Sequence, residues 1–127
     1  MKDLSKSKIE RVSSTPLCEE WIDKLKLIHG DLMFYQSGGC CEGSAPLCMT
    51  DGEMRIGESD VLLGYIHNCP FYISHSQYEK WKHTKLIIDV VEGGGNAFSL
   101  ESPEGISFHL NSEVFNSEQR EVIKQEG

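Results

Sequence analysis

The stretch Val61-Leu62-Leu63-Gly64-Tyr65-Ile66-His67-Asn68-Cys69-Pro70-Phe71-Tyr72-Ile73 decides the fold of this chain. Two runs of large apolar and aromatic residues flank Asn68-Cys69-Pro70, a pattern typical of a tight β-hairpin in which proline ends the turn. We therefore expect a pair of antiparallel strands here, with Cys69 in the turn.

Further strand-like segments surround this hairpin at turn spacing. Residues 31–37 are rich in aromatic and large apolar side chains and run into a glycine pair. Residues 85–92 have the β-branched content of a largely buried strand, whereas 97–100 and 106–110 alternate apolar and polar residues beyond a glycine-rich turn. The segments together predict a domain built mainly of β-strands.

Two helices are predicted among these strands. Thr15-Pro16 reads as an N-cap followed by proline at the first helical position, and Gly30 is a natural end for that helix. Its predicted apolar stripe consists of Leu17, Cys18, Trp21, Ile22, Leu25 and Ile28. Ser74, with Gln77 three residues later, predicts a capping box for a short helix over 76–82.

The predicted fold class is mainly β (α+β), a compact antiparallel β domain with one N-terminal helix and one short helix. A chain of 127 residues is long enough for one domain. We expect a flexible N-terminus over 1–8, a globular domain over 9–112 and a charged C-terminal tail over 113–127.

The charge and hydropathy of the chain narrow its function classes. It carries 12 basic and 20 acidic residues, a net charge of −8, without a cluster of Lys and Arg, so we expect no nucleic-acid partner. No apolar run approaches the roughly 20 residues that span a bilayer, and the polar start does not resemble an export signal. These features predict a cytoplasmic protein that does not enter a membrane, with reduced thiols.

The strongest hint of chemistry is a cluster of thiols in one glycine-rich stretch. Three of the five cysteines, Cys40, Cys41 and Cys48, belong to the stretch 36–48. Thiolates are soft ligands that favour zinc, iron or copper, so we predict a transition-metal site there. Cys69 is a candidate fourth ligand from the hairpin, and His67 is a candidate nitrogen ligand.

Two other interpretations of the same thiols stay open. One cysteine could attack and another resolve in a thiol-redox enzyme or sensor, which requires a lowered thiol pKa. Alternatively, the thiols pack inertly and the chain is a metal-free interaction module. No other stretch matches an enzyme signature, so we expect a protein that is not an enzyme; exposed sheet edges also suggest a homodimer.

Several short motifs of the sequence resemble those of a bacterial family known as domain of unknown function 779. They include His29-Gly30-Asp31-Leu32-Met33-Phe34, Gln36-Ser37-Gly38-Gly39-Cys40-Cys41, Ser59-Asp60-Val61-Leu62-Leu63-Gly64, Pro70-Phe71-Tyr72-Ile73-Ser74 and Trp81-Lys82-His83-Thr84. Members are often encoded beside aldehyde or acetaldehyde dehydrogenases. The resemblance therefore implies an accessory protein with an aldehyde dehydrogenase as its partner.

A more distant resemblance is to the HesB-like, A-type iron–sulfur carriers. In that family a strand runs into a Gly-Gly-Cys loop, which is followed by a hairpin, a short helix and a strand carrying an Asp. In this chain Gly39-Cys40 resembles the loop, and Ile88-Asp89-Val90 resembles the strand with the Asp. The family's first cysteine pairs with a Cys-Gly-Cys near the C-terminus, and this chain has no cysteine after Cys69. The resemblance therefore implies a fold and does not carry the iron–sulfur role.

Overall fold

The computed structural model describes residues 2–4, 10–36, 46–52, 56–57, 60–81, 84–93 and 105–126. The helices and strands of this part of the chain are β1 (Lys2–Asp3), β2 (Val12–Ser14), α1 (Pro16–His29), β3 (Leu32–Gln36), β4 (Leu47–Thr50), β5 (Asp60–Ile66), β6 (Cys69–Ser74), α2 (His75–Trp81), β7 (Thr84–Glu92), β8 (Ile106–Val114) and α3 (Ser117–Glu126). The predicted strand 97–100 lies outside the described residues.

The strands form two sheets, one of five strands in the order β1-β5-β6-β3-β4 and one of three in the order β2-β7-β8. The predicted α+β class is confirmed. The sheets are mixed rather than antiparallel, because β1 with β5, β3 with β6 and β2 with β7 run parallel. Parallel neighbours need a long connection, and the connection from β3 to β6 contains β4 and β5. Local sequence patterns do not encode this long-range strand order.

The predicted hairpin is formed by β5 and β6, but its turn is shorter than predicted. The turn consists of His67 and Asn68, whose φ angles are 46° and 67°. A two-residue turn with both φ angles positive matches the right-handed twist of the strands, and Asn tolerates that conformation. Cys69 and Pro70 are therefore the first two residues of β6, and the expectation that Cys69 lies in the turn is wrong.

Helix α1 begins and ends where the sequence predicts. The Thr15 hydroxyl accepts the backbone N–H of Cys18 at 3.2 Å, and Gly30, with φ 86°, donates its N–H to the carbonyl of Lys26. Its buried side chains are Cys18, Ile22 and Leu25. Leu17 and Ile28 are 49% and 62% exposed, so the apolar face is narrower than the predicted stripe.

The core lies between the two sheets. Phe34 of β3 stacks on Phe71 of β6 at a centroid distance of 6.2 Å and meets Phe108 of β8 edge to face at 5.1 Å. All three rings are fully buried. Since Phe108 belongs to the three-stranded sheet, this aromatic contact joins the two layers.

The described structure includes strand pairing and a buried side chain near the two ends of the chain. β1 pairs with β5, and the N–H of Leu4 donates to the carbonyl of Leu62 at 2.8 Å. β8 ends at Val114, and the next residue, Phe115, is only 2% exposed. Within the described ranges, none of the helices is long and apolar enough to cross a membrane.

Candidate functional site

The thiol-bearing segment 37–45 connects two paired strands. β3 and β4 are antiparallel neighbours, with Tyr35 opposite Leu47 and Phe34 opposite Cys48. The two strands that flank the segment therefore lie one strand spacing apart, roughly 4.8 Å. Cys40 and Cys41 lie outside the described residues, and Cys48 is the second residue of β4, with its thiol fully buried.

A buried amide lies where this segment begins. Gln36, the last residue of β3, is fully buried, and neither its Nε2 nor its Oε1 has a hydrogen-bond partner among the residues that the structure describes. Buried polar groups in folded proteins are almost always paired, so this amide requires a polar group that approaches it. Sequence analysis missed Gln36 because a lone glutamine at a strand end has no distinguishing pattern.

The structure does not bring Cys48 and Cys69 together. Strand β3 lies between β4 and β6, which places these two cysteines on strands roughly 10 Å apart. Two sulfurs on one zinc ion are at most about 4.6 Å apart, because each bond is about 2.3 Å. Side chains on one face of a sheet stand roughly perpendicular to it and do not converge across that gap.

Cys69 is also far from the thiol-bearing segment along the strands. β6 runs parallel to β3 with Phe71 beside Phe34, so Cys69 is level with Leu32 at the start of β3. The segment leaves from Gln36, four residues or about 13 Å further along. The described residues place Cys69 at the opposite end of the sheet from that segment.

The surroundings of Cys69 make it a poor nucleophile. Its thiol, 1% exposed, donates to the carbonyl of His67 at 3.7 Å. Burial raises the pKa of Cys69, and the carboxylate of Asp31 adds to this, whereas hydrogen bonds from the Lys26 ammonium and the Leu32 N–H lower it in part. The net pKa lies above the ordinary thiol value, which keeps Cys69 protonated at neutral pH.

His67 holds helix α1 against the hairpin turn. Its Nε2 lies 2.8 Å from Asp23 Oδ1, and its Nδ1 lies 3.9 Å from Glu19 Oε2. Lys26, one turn further along the helix, donates to the backbone carbonyl of His67 at 3.2 Å. The imidazole is thus engaged by helix α1, and the described contacts give it a structural role.

A buried tyrosine and a carboxylate are paired near the end of β3. The Tyr35 hydroxyl donates to Asp60 Oδ1, and Asp60 Oδ2 accepts the backbone N–H of Gly57 at 2.8 Å. Burial raises the pKa of Tyr35, and the hydrogen bond and the negative charge of Asp60 raise it further. This pair fixes the connection that enters β5 against β3.

The metal prediction depends on residues outside these ranges. The described residues contain no group of three or more His, Cys, Asp or Glu side chains that could hold a metal ion. Cys18, Cys48 and Cys69 are buried thiols rather than disulfides. The metal and redox interpretations of Cys40 and Cys41 both stay predictions, as does the HesB-like resemblance.

The fold and these sites define a small α+β domain with two facing mixed sheets and a thiol-bearing connection between β3 and β4. The family described as Domain of unknown function (DUF779) matches residues 21–114, and the chain belongs to that family. No curated protein matches the chain.

Proposed function

We propose that this protein is a small accessory protein, without catalytic activity of its own, that binds a transition metal through Cys40, Cys41 and Cys48. The observation that carries the proposal is the pairing of β3 with β4, because these neighbouring strands flank the thiol-bearing segment and β4 contains Cys48. Three thiolates and one further group would complete a tetrahedral site for zinc, iron or copper.

The buried amide of Gln36 supports this location. A metal-bound thiolate is a hydrogen-bond acceptor, and the Nε2–H of Gln36 would be a suitable donor to it. Donors of this kind orient ligands and tune the affinity of a site. Gln36 is therefore proposed as a positioning residue and not as a ligand.

Cys69 is left out of the proposed ligand set for a geometric reason. It would have to reach across β3 and about 13 Å along the sheet, from a thiol whose pKa is raised by burial. Cys69→Ala is consequently the matched control for substitutions in the thiol-bearing segment.

Elemental analysis of anaerobically purified protein tests the proposal. We expect close to one equivalent of metal in the parent protein and in Cys69→Ala, and none in Cys40→Ser/Cys41→Ser, which leaves the buried Cys48 in place. Circular dichroism of each variant shows whether it is folded. Equal metal content in the parent and the folded double variant, or no metal in either, would contradict the proposal.

The cellular setting is the second part of the proposal. An aldehyde dehydrogenase is the partner that the family resemblance implies, and a reducing compartment such as the cytoplasm suits a chain whose described cysteines are thiols. Copurification of the tagged chain with an aldehyde dehydrogenase from the same source tests the partner. Binding that survives loss of Cys40 and Cys41 would favour the interaction module over the metal protein.

A further inference from the structure

A cleft opens at the end of the five-stranded sheet where β3 begins. Its volume is about 330 Å³. The residues that line it are Lys26, Asp31, Leu32, Asp51, Tyr65, Asn68, Pro70 and Tyr72. They come from the end of α1, the connection into β3, the turn after β4 and the β5–β6 hairpin, so the fold assembles the cleft from four separate segments.

Two aspartates, Asp31 and Asp51, line this cleft from neighbouring backbone segments. The backbone N–H of Asp51 donates to the carbonyl of Asp31 at 2.9 Å, which fixes the two exposed aspartates on adjoining backbone segments. Among the lining residues that the structure describes, one carries an ammonium, that of Lys26, and it is already engaged by the His67 carbonyl at 3.2 Å and by the sulfur of Cys69. The described part of the lining therefore carries one more negative than positive charge.

Two tyrosines form the other part of the lining. Tyr65 of β5 lies opposite Pro70 of β6, and Tyr72 is two residues beyond Pro70 on the same strand. Side chains two residues apart on a strand, and those directly opposite across an antiparallel pair, lie on the same face of a sheet. The two aromatic side chains thus flank Pro70 on one face, within reach of one small ligand.

We propose that this cleft binds a small organic cation of the primary alkylamine class. Carboxylates attract the ammonium, and tyrosine rings attract it further through the negative face of the ring. The volume is at the small end of the range for ligand pockets, which suits an alkylamine of a few carbons. The site is independent of the proposed metal site and shares none of its residues.

A titration followed by amide chemical shifts tests this proposal with putrescine as the probe. Butanediol, its neutral analogue, and magnesium chloride are titrated in parallel at constant ionic strength. We expect saturable shifts of the amides of Asn68 and Tyr72 with putrescine, and no saturable shift with either of the other two compounds.

Matched variants assign the binding to the cleft. We expect Asp31→Asn and Asp51→Asn each to weaken putrescine binding about three-fold, as for partly exposed ion pairs. Tyr65→Leu, at a side chain 55% exposed, should weaken it about two- to five-fold. Glu113→Gln removes the same charge from an exposed position on β8 and should leave binding unchanged.

Three results would overturn the proposal. The first is the lack of saturation with putrescine. The second is equal saturation with magnesium, which would make the cleft a general cation attractor. The third is equal weakening by Glu113→Gln, which would assign the effect to the overall charge of −8. Retention of the parent amide spectrum by each variant shows that it is folded.

Discussion

Slow modification of Cys69 is the prediction that most directly tests the geometry of the hairpin. The thiol is 1% exposed and is level with the start of β3, so a reagent reaches it only when the end of the β5–β6 hairpin opens. An opening that costs about 3 kcal/mol, well below the roughly 5–15 kcal/mol of global unfolding, leaves about one molecule in 150 open. We therefore expect iodoacetamide to modify Cys69 at least about 100-fold more slowly than in the unfolded chain.

The assay is alkylation of the folded protein at pH 7, with each cysteine quantified by mass spectrometry after digestion. The same protein in guanidinium chloride supplies the unfolded reference rate. A rate at Cys69 within about ten-fold of that reference would refute the reasoning, because a hairpin end that opens so easily would not bury the thiol in the way described.

The pKa of Cys69 gives a second measurement at the same position, from its Cβ chemical shift during an alkaline titration. We expect a value above the ordinary thiol value of about 8.5. Lys26→Met should raise the pKa of Cys69 further, because the Lys26 ammonium lowers it. Lys24→Met should leave this pKa unchanged, because the Nζ of Lys24 lies 4.5 Å over the ring of Trp21. Since the folded pKa is raised, the contribution of this thiol to stability is complete below about pH 8.5 and is lost at higher pH, by at most about 1.4 kcal/mol per pH unit.

Two further predictions concern the stability of the fold. Asn68, with φ 67°, is in the left-handed region, so Asn68→Ala should lower the free energy of unfolding by about 1 kcal/mol, whereas Asn68→Gly should not lower it; urea unfolding of both variants measures this. Tyr35→Phe removes the donor to Asp60 and should cost about 1.5–3 kcal/mol at neutral pH. Because folding raises the pKa of Tyr35 above about 10, the free energy of unfolding of the parent should fall as the pH rises above 10. Tyr35→Phe lacks the phenol, so its free energy of unfolding should fall less; equal falls would contradict this.

Helix α1 and the hairpin were predictable because their signals are local. Thr15 and Gly30 determine the ends of the helix, and each does so through a hydrogen bond to a residue three or four positions away in the sequence. The burial of its faces was less predictable, since Leu17 is exposed while Cys18 is buried. Which side of a helix is covered depends on where it crosses the two sheets, and that crossing is set by strands far away in the sequence.

The parallel pairings were not predictable from local patterns. Phe34 beside Phe71 is a contact between strands 37 residues apart, and both segments would have the same composition in an antiparallel sheet. The consequence for function is direct. With β3 placed between β4 and β6, the candidate ligands Cys48 and Cys69 are separated by a strand, although either could join a thiol cluster on composition alone.

The cleft had no sequence signal at all. Lys26, Asp31, Asp51 and Tyr65 have no regular spacing, and each alone reads as an ordinary surface residue. Their association follows from the strand order and from the backbone hydrogen bond between Asp51 and Asp31. Sites assembled in this way are recognised from topology first and from chemistry second.

The segment that carries Cys40 and Cys41 follows one end of β3 and the amine cleft lies at the other, so substitutions in that segment can be tested independently of the cleft. The thiol-bearing segment leaves from Gln36, and the amine cleft includes Leu32, about 13 Å away along the strand. Substitutions at positions more than about 10 Å apart that share no partners are expected to act additively. Loss of metal from Cys40→Ser/Cys41→Ser should therefore leave the putrescine titration unchanged. A change in both would contradict this independence and would show that the substitutions rearrange β3 as far as the cleft.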